Sequence, residues 1–234
     1  MHTEKNRMKR EIKLAIIDNS IDPSIYNPLA HWGASIDVEW EGFRASESQF
    51  PSLSKEYTHL ILTGSEASIV EREKWVYEEV EFVREAVDKG ISVLGSCYGH
   101  QLLALALAGF DHVRRSPSPE VGWISIQIKE DDELLGRKGE AFSFTSHFDE
   151  VIHLGSDFHV LASSTYCPIQ AFQFKSRPVW GIQIHPEINI EEGRKFLKKL
   201  VSLGLKTNPF FERALNTASR DSCLIKTIVK TFLR

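Results

Sequence analysis

The sequence predicts an α/β protein with a doubly wound, mostly parallel central sheet and a small antiparallel β element. Three observations lead there. Short apolar runs ending in turn formers alternate with helix-period segments over the first 110 residues, the pattern of parallel strands joined by crossover helices. In "ISVLGSCYGHQLLALALAG" (91–109) an apolar run changes from strand to helix period at a cysteine between two glycines. From about residue 120 the texture turns to short alternating runs with turn residues between them, as in antiparallel strands.

Taken in order, "IKLAIIDNS" (12–20) reads as a first central strand, buried on both faces and closed by turn formers. Asp22-Pro23 has the form of an N-cap followed by a first helical position. "SIDVEW" (35–40) alternates as a second strand, and "YTHLILTGSEAS" (57–68) is a third that ends in a Gly/Ser turn. Val76, Val80, Val83 and Val87 mark one face of a helix closed by Gly90. "VGWISIQIK", "AFSFTSH", "HVLASST" and "IQAFQF" supply the antiparallel strands, "VWGIQIHPE" (179–187) a buried strand, and "NIEEGRKFLKKLVSLG" a helix ending at Gly204. No repeat or Pro/Gly/Ser-rich linker divides the chain. We therefore expect one domain over 1–234, with its core at about 12–204 and a helical tail over 205–234.

Composition narrows the function classes. The 234 residues are 42% hydrophobic and 26% charged with a net charge of −4, which fits a globular protein and gives no broad basic surface for a phosphate backbone. No nucleic acid or membrane partner is expected. The N-terminal apolar run "LAII" is too short for a signal-peptide core, so the expected location is cytoplasmic. Cys97, Cys167 and Cys223 lie far apart without C-x-x-C spacing, which suggests reduced thiols and no zinc site. Cys223 is read as a packing residue and Cys167, before Pro168, as part of a turn. His147, His153 and His159 recur every six residues, a spacing that matches neither a helix face nor a metal-ligand motif. No metal and no cofactor is expected, and no P-loop is present.

The chemistry gathers around Cys97. G-x-C-x-G between strand and helix is the cysteine form of a nucleophile elbow; Gly95 and Gly99 lack the Cβ atoms that would crowd so sharp a bend. The helix N-terminus behind the sulfur favours thiolate over thiol. The competing reading is a small apolar residue packed at a strand end. In "IQIHPEI", residues two apart on an extended chain share a face, so Glu187 can orient His185. A histidine held in the core is the alternative for that motif by itself. An oxyanion hole would draw one amide from Tyr98, the residue after the nucleophile, and one from Gly64 at the neighbouring strand end, where an ordinary turn glycine is the plainer reading.

"GSCYGHQ" together with "HPE" resembles the class I, triad-type glutamine amidotransferases, with similarity over roughly residues 12–200. The resemblance implies a flavodoxin-like sheet and hydrolysis of the glutamine side-chain amide through a γ-glutamyl thioester. It implies Cys97 as nucleophile, His185 as acid/base, Glu187 as its orienting partner, and Gly64 and Tyr98 as oxyanion donors. Gln101 matches the family glutamine that helps hold the substrate amino acid. "FTSHFDEV" (144–151) looks like the family's S-H-x-D segment, whose backbone at Ser146, His147 and Phe148 lines the pocket; "EVGW" (120–123) also looks like a family feature beside it. Two positions depart from the pattern: the strand-end turn reads Thr63-Gly64-Ser65 where the family has two glycines, and Phe148 stands where several members have a small residue.

The resemblance further implies an acceptor for the ammonia. About 30 residues follow position 204, too few for an acceptor-activating domain, so that domain is expected on another chain, as a separate synthetase or synthase subunit, or not at all. Stand-alone relatives that hydrolyse γ-glutamyl peptides or conjugates give a second enzymatic reading, and a non-catalytic binding module of the same fold gives a third. The tail over 219–234 is amphipathic: Leu224, Ile228 and Phe232, flanked by Ile225, Val229 and Leu233, oppose Lys226, Lys230 and Arg234. Packing back on the domain is set there against partner docking or homodimer formation.

Overall fold

The computed structural model describes residues 11–54, 57–175, 177–204 and 207–234. Among these residues nine strands form one sheet in the order β2-β1-β3-β4-β9-β8-β7-β5-β6. Its parallel half consists of β1 (Leu14–Asp18), β2 (Trp40–Arg44), β3 (His59–Leu62), β4 (Ser92–Ser96) and β9 (Val179–Ile182). The antiparallel half consists of β5 (Val113–Ile128), β6 (Gly139–Val151), β7 (Phe158–Ser163) and β8 (Ala171–Phe174). It continues the parallel half through the β8–β9 pair and contains the two longest strands, of 16 and 13 residues.

Strand alternation distributes the core to both faces. Ala15, Ile17, Leu60, Leu62 and Val93 point to one side, where α2 (Lys74–Asp88) and α3 (Tyr98–Leu107) cover them. Leu14, Ile16, Ile61 and Leu94 point to the other, beneath Trp32 of α1 (Pro28–Gly33) and the apolar face of α6 (Leu224–Phe232). In α6 the buried residues are Leu224, Ile228, Val229 and Phe232, and the Phe232 ring meets His59 and Trp180 edge-on at 5.1 and 6.4 Å. Side chains of this size contribute about 2 kcal/mol each when buried. The amphipathic tail therefore packs back on the sheet. A third apolar cluster joins α4 (Ile190–Ser202) and α5 (Asn208–Asn216) to Trp123, Phe144 and Tyr26.

Several local expectations shift. The first helix starts at Asn27-Pro28, where Asn27 Oδ1 accepts the Ala30 amide at 3.1 Å. At Asp22 the side chain caps Ser24 and the carbonyl accepts from Ile25 and Tyr26, closing a turn that goes no further. The second strand begins at Trp40, the last residue of "SIDVEW", so the rest of that run precedes it; as an edge strand its burial alternates little. The tail holds two helices, α5 as well as α6. Cys223 is exposed, while Cys167 is buried in a turn closed by hydrogen bonds with Ser164.

The strand order reverses on either side of β1, and such a switch point opens a crevice at the carboxyl ends of the strands. There Asn19 stitches β1 to β3: its amide donates to Thr63 Oγ1 at 3.0 Å and its Nδ2 to Thr63 O at 3.1 Å. Behind it lies Glu79 of α2, fully buried, whose carboxyl oxygens have no hydrogen-bond partner among the described residues. Burial pushes this carboxyl up to about 8, with Asn19 opposing the shift. Below the ordinary value of 4.5 the group is protonated in both states; above it only the unfolded chain gains by ionising, so stability falls as pH rises from 4.5 to about 8. The isosteric Glu79→Gln variant should gain on the wild type across that window, by on the order of 4 kcal/mol at its upper end. Thermal unfolding at pH 5 and pH 8 checks this; a difference in Tm that does not change with pH contradicts it.

Candidate active site

The site forms where β4 turns into α3. Cys97 sits between them with φ 49° and ψ −103°, a left-handed conformation that costs a non-glycine residue about 1–3 kcal/mol. Close packing holds it there: a Cβ on Gly95 would lie 2.3 Å from Gly99 O, and one on Gly99 would lie 2.2 Å from Leu62 O. The Cys97 amide donates to Ile182 O at 2.8 Å and the Gly99 amide to Thr63 O at 3.0 Å, fixing the elbow to β9 and β3. Cys97 is 4% exposed, yet it borders a cavity of about 500 Å³.

His185 and Glu187 come to this cysteine from the segment after β9. Strand geometry does not pair them, because β9 ends at Ile182. The chain instead turns at "HPEI", with the Ile188 amide donating to His185 O, and the turn sets Nδ1 2.7 Å from Glu187 Oε1. The His185 amide is anchored on Phe144 O at 2.8 Å, and Ser96 Oγ donates to Ile184 O at 3.1 Å. With Nδ1 taken by the carboxylate, Nε2 is the ring atom available to the Cys97 sulfur. Burial by itself pulls the imidazole down, but the facing Cys97 and Glu187 more than reverse it and push it up to about 10. For Glu187 burial is likewise opposed, here by His185 and Tyr26, and the carboxylate stays below its usual range.

Tyr26, in the turn after β1, had no sequence signal. Its hydroxyl donates to Glu187 Oε1 at 2.7 Å and lies 3.4 Å from His185 Nδ1, so the carboxylate is oriented from two sides. Burial and the adjacent Glu187 raise the phenol well above its ordinary value.

The proposed oxyanion donors are placed differently from each other. Tyr98 borders the cavity and begins α3, where a first-turn amide lacks an intrahelical acceptor. Gly64 packs behind the imidazole, a Cβ there falling 2.5 Å from His185 Cε1. The cavity wall at that turn is made by Ser65 to Ser68. Gln101 lines the cavity and gives its Nε2 to Asp149 O at 2.9 Å and Gln183 Oε1 at 3.1 Å, leaving its carbonyl oxygen for a ligand. Ser146, His147 and Phe148 also line it. Both His147 nitrogens are committed, Nδ1 to Asp149 O at 2.9 Å and Nε2 to Glu120 Oε2 at 3.1 Å. The Phe148 ring turns to Phe210 and Phe211 of α5 at 5.5 and 6.3 Å.

Glu120, His147 and Cys167 bring potential ligand atoms within 4.8 Å of one another. Glu120 already accepts from Ser164 Oγ at 2.8 and 2.9 Å and from Gln170 Nε2 at 2.7 Å, and the Cys167 sulfur faces Ile169 O at 3.6 Å. His153 is exposed and His159 faces Glu130 at 2.7 Å; the evenly spaced histidines do not converge.

A cysteine on a strained strand-to-helix turn, an imidazole, a carboxylate behind it and a cavity at the switch point define a cysteine-hydrolase type of site on a doubly wound sheet. Residues 15–202 match the family "Glutamine amidotransferase class-I", and the chain belongs to that family. It is 35% identical over 115 residues to a subunit of the glutamine-hydrolyzing GMP synthase of Methanococcus aeolicus, a match covering 48% of this chain and 60% of that protein. To the subunit of the same name from Sulfolobus acidocaldarius it is 32% identical over 153 residues, covering 64% of this chain and 78% of that protein. The chain thus spans about 60% of the length of the first of these relatives. A glutamine amidotransferase structure from Thermotoga maritima shares the fold with a TM-score of 0.75 at 19% identity, covering 96% of this chain and 97% of that one. Among the described residues no helix is long and apolar enough to cross a membrane.

The elbow predicts its own sensitivity. Gly99→Ala should lose more than about 3 kcal/mol, because backbone rather than a movable side chain occupies the space its Cβ would need. Gly155→Ala, where nothing lies within 4 Å, should stay within about 0.5 kcal/mol of wild type. Denaturant unfolding of the two variants measures both, and equal losses would refute the packing account.

Proposed function

We propose that the protein hydrolyses the side-chain amide of glutamine through a thioester on Cys97. The observation that carries this reading is the 2.7 Å His185–Glu187 pair facing a cysteine held in left-handed backbone at the cavity edge. The sulfur attacks the amide carbon, and a C–S bond forms as the oxygen gains charge against the Tyr98 amide, with a second donor from the 63–65 turn. His185, kept protonated by its neighbours, donates from Nε2 to the nitrogen as the C–N bond breaks. Ammonia leaves, and water deprotonated by His185 cleaves the thioester to glutamate. The Gln101 carbonyl and the Ser146–Phe148 backbone hold the amino-acid end of the substrate.

The likeness to proteins that are each named as one subunit of a synthase supports a separate synthase chain as recipient of the ammonia. Retention of a cysteine at the cavity edge together with the hydrogen-bonded His185–Glu187 pair speaks against a non-catalytic binding module.

Cys97→Ala should lower ammonia release from glutamine at least about 10³-fold with an unchanged unfolding curve, and Glu187→Gln should lower it about 10- to 100-fold. Turnover retained in Cys97→Ala would discard the assignment. With His185 pushed up to about 10, the alkaline limb of kcat/KM should fall near that pH as the acid loses its proton; a limb near the ordinary value of 6.5 would contradict the proposed pairing.

A further inference from the structure

A second cluster of reactive side chains adjoins the cavity wall at His147. Glu120 of β5, His147 of β6 and Cys167 of the turn between β7 and β8 are all buried, and their potential ligand atoms lie within 4.8 Å of one another. His147 Nδ1 stands 2.9 Å from Asp149 O, a contact that only a ring N–H can make. In the neutral ring Nε2 then carries a lone pair, and it faces Glu120 Oε2 at 3.1 Å. Two acceptors so close call for a positive species between them.

That species is either a second ring proton or a metal ion, and the sulfur separates the two. A proton shared by imidazole and carboxylate makes no use of a thiol, whose own contact is with Ile169 O at 3.6 Å. Around an ion the three atoms form a ligand set: sulfur, nitrogen and oxygen bound at about 2.0–2.3 Å sit within about 4.6 Å of one another. A ring nitrogen that ligates commonly has its other N–H on a backbone carbonyl, as His147 has on Asp149. Glu120 keeps capacity, since Ser164 and Gln170 use two of the roughly four lone-pair positions of a carboxylate. Gln170 offers a fourth ligand. It is fully buried, its amide lies against Glu120 Oε2 at 2.7 Å, and its Oε1 has no hydrogen-bond partner among the described residues. A half-turn about its last bond exchanges the two ends of the amide and puts that oxygen beside the carboxylate.

We propose that Glu120, His147, Cys167 and Gln170 form a binding site for a thiophilic divalent ion, zinc being the best match. Thiolate and carboxylate together carry two negative charges, so a divalent ion closes the buried site without net charge. Binding breaks the Cys167 S–H bond and forms a metal–sulfur bond, with the proton released to solvent; imidazole, carboxylate and amide each give a lone pair. Exposed Thr165, Tyr166 and Pro168 flank Cys167, so the ion enters through this turn. Bound there, it ties β5, β6 and the β7–β8 turn together and fixes the cavity wall at His147. No local motif marks the site, because its ligands come from three separate segments. It is independent of the reaction at Cys97.

Cys97 beside His185 is itself a place where such an ion can settle, so the test uses the full chain carrying Cys97→Ala and Cys223→Ser, which leaves Cys167 as its only thiol. After treatment with a chelator and its removal, one equivalent of Co2+ should give a near-ultraviolet sulfur-to-cobalt absorption band, which one equivalent of Zn2+ then bleaches. Adding Cys167→Ser to this background should abolish the band and weaken Zn2+ at least about 100-fold, more than the loss of a group behind a ligand brings. X-ray absorption at the zinc edge needs no further variant: on the parent protein it should show one sulfur at about 2.3 Å, with nitrogen and oxygen as the remaining ligands. Absence of the cobalt band, a zinc ion without sulfur, or a band retained in Cys167→Ser would each overturn the inference.

Discussion

Everything at the site depends on how closely α3 approaches the sheet. Backbone meets backbone at Gly95, Gly99 and Leu62 with no room for a single added carbon, and this packing helps keep Cys97 in a conformation its side chain disfavours. A looser junction would let residue 97 relax to ordinary helical geometry and turn its sulfur away from the cavity. The same junction brings the start of α3 against the ends of β3 and β9, through hydrogen bonds from Gly99 to Thr63 and from Cys97 to Ile182. Placement of Cys97 and of the neighbouring amides is thus one structural event.

Burial does the rest. His185, Glu187 and Tyr26 are almost wholly removed from water, where an isolated charge is costly and a paired one interacts strongly. The carboxylate is held by tyrosine as well as imidazole, so it remains ionised in surroundings that would otherwise neutralise it. The imidazole stays charged between that carboxylate and the cysteine. The antiparallel half of the sheet contributes the facing wall: Glu120, Ser164 and Gln170 brace His147, and the Asp149 carbonyl accepts from both His147 and Gln101.

Much of this was legible in the residues. The change of hydrophobic period at Cys97 located the elbow because a buried strand and a buried helix leave different periodicities around two small residues. The helical tail could be read from the spacing of Leu224, Ile228 and Phe232, and these residues do meet the sheet. His185 and Glu187 were paired from an extended-chain argument, whereas a turn does the pairing; their two-residue separation serves both geometries. Long-range partnerships left no local mark. Tyr26 reaches Glu187 across 161 positions, and Gly64 sits against the His185 ring instead of lining the cavity wall. Helix α5, short and begun by "NPFF", carries too little periodicity to announce itself, yet it supplies Phe211 to the cavity.

The central claim is that Cys97 is chemically distinct from the other thiols, and covalent capture measures that directly. Exposed Cys223 and buried Cys167 serve as internal references. Incubation with a chloroketone analogue of glutamine, followed by peptide mass mapping, should place one equivalent on Cys97, faster than on Cys223 and slowed by added glutamine. Labelling of Cys97 no faster than of Cys223, or without protection by glutamine, would contradict the account.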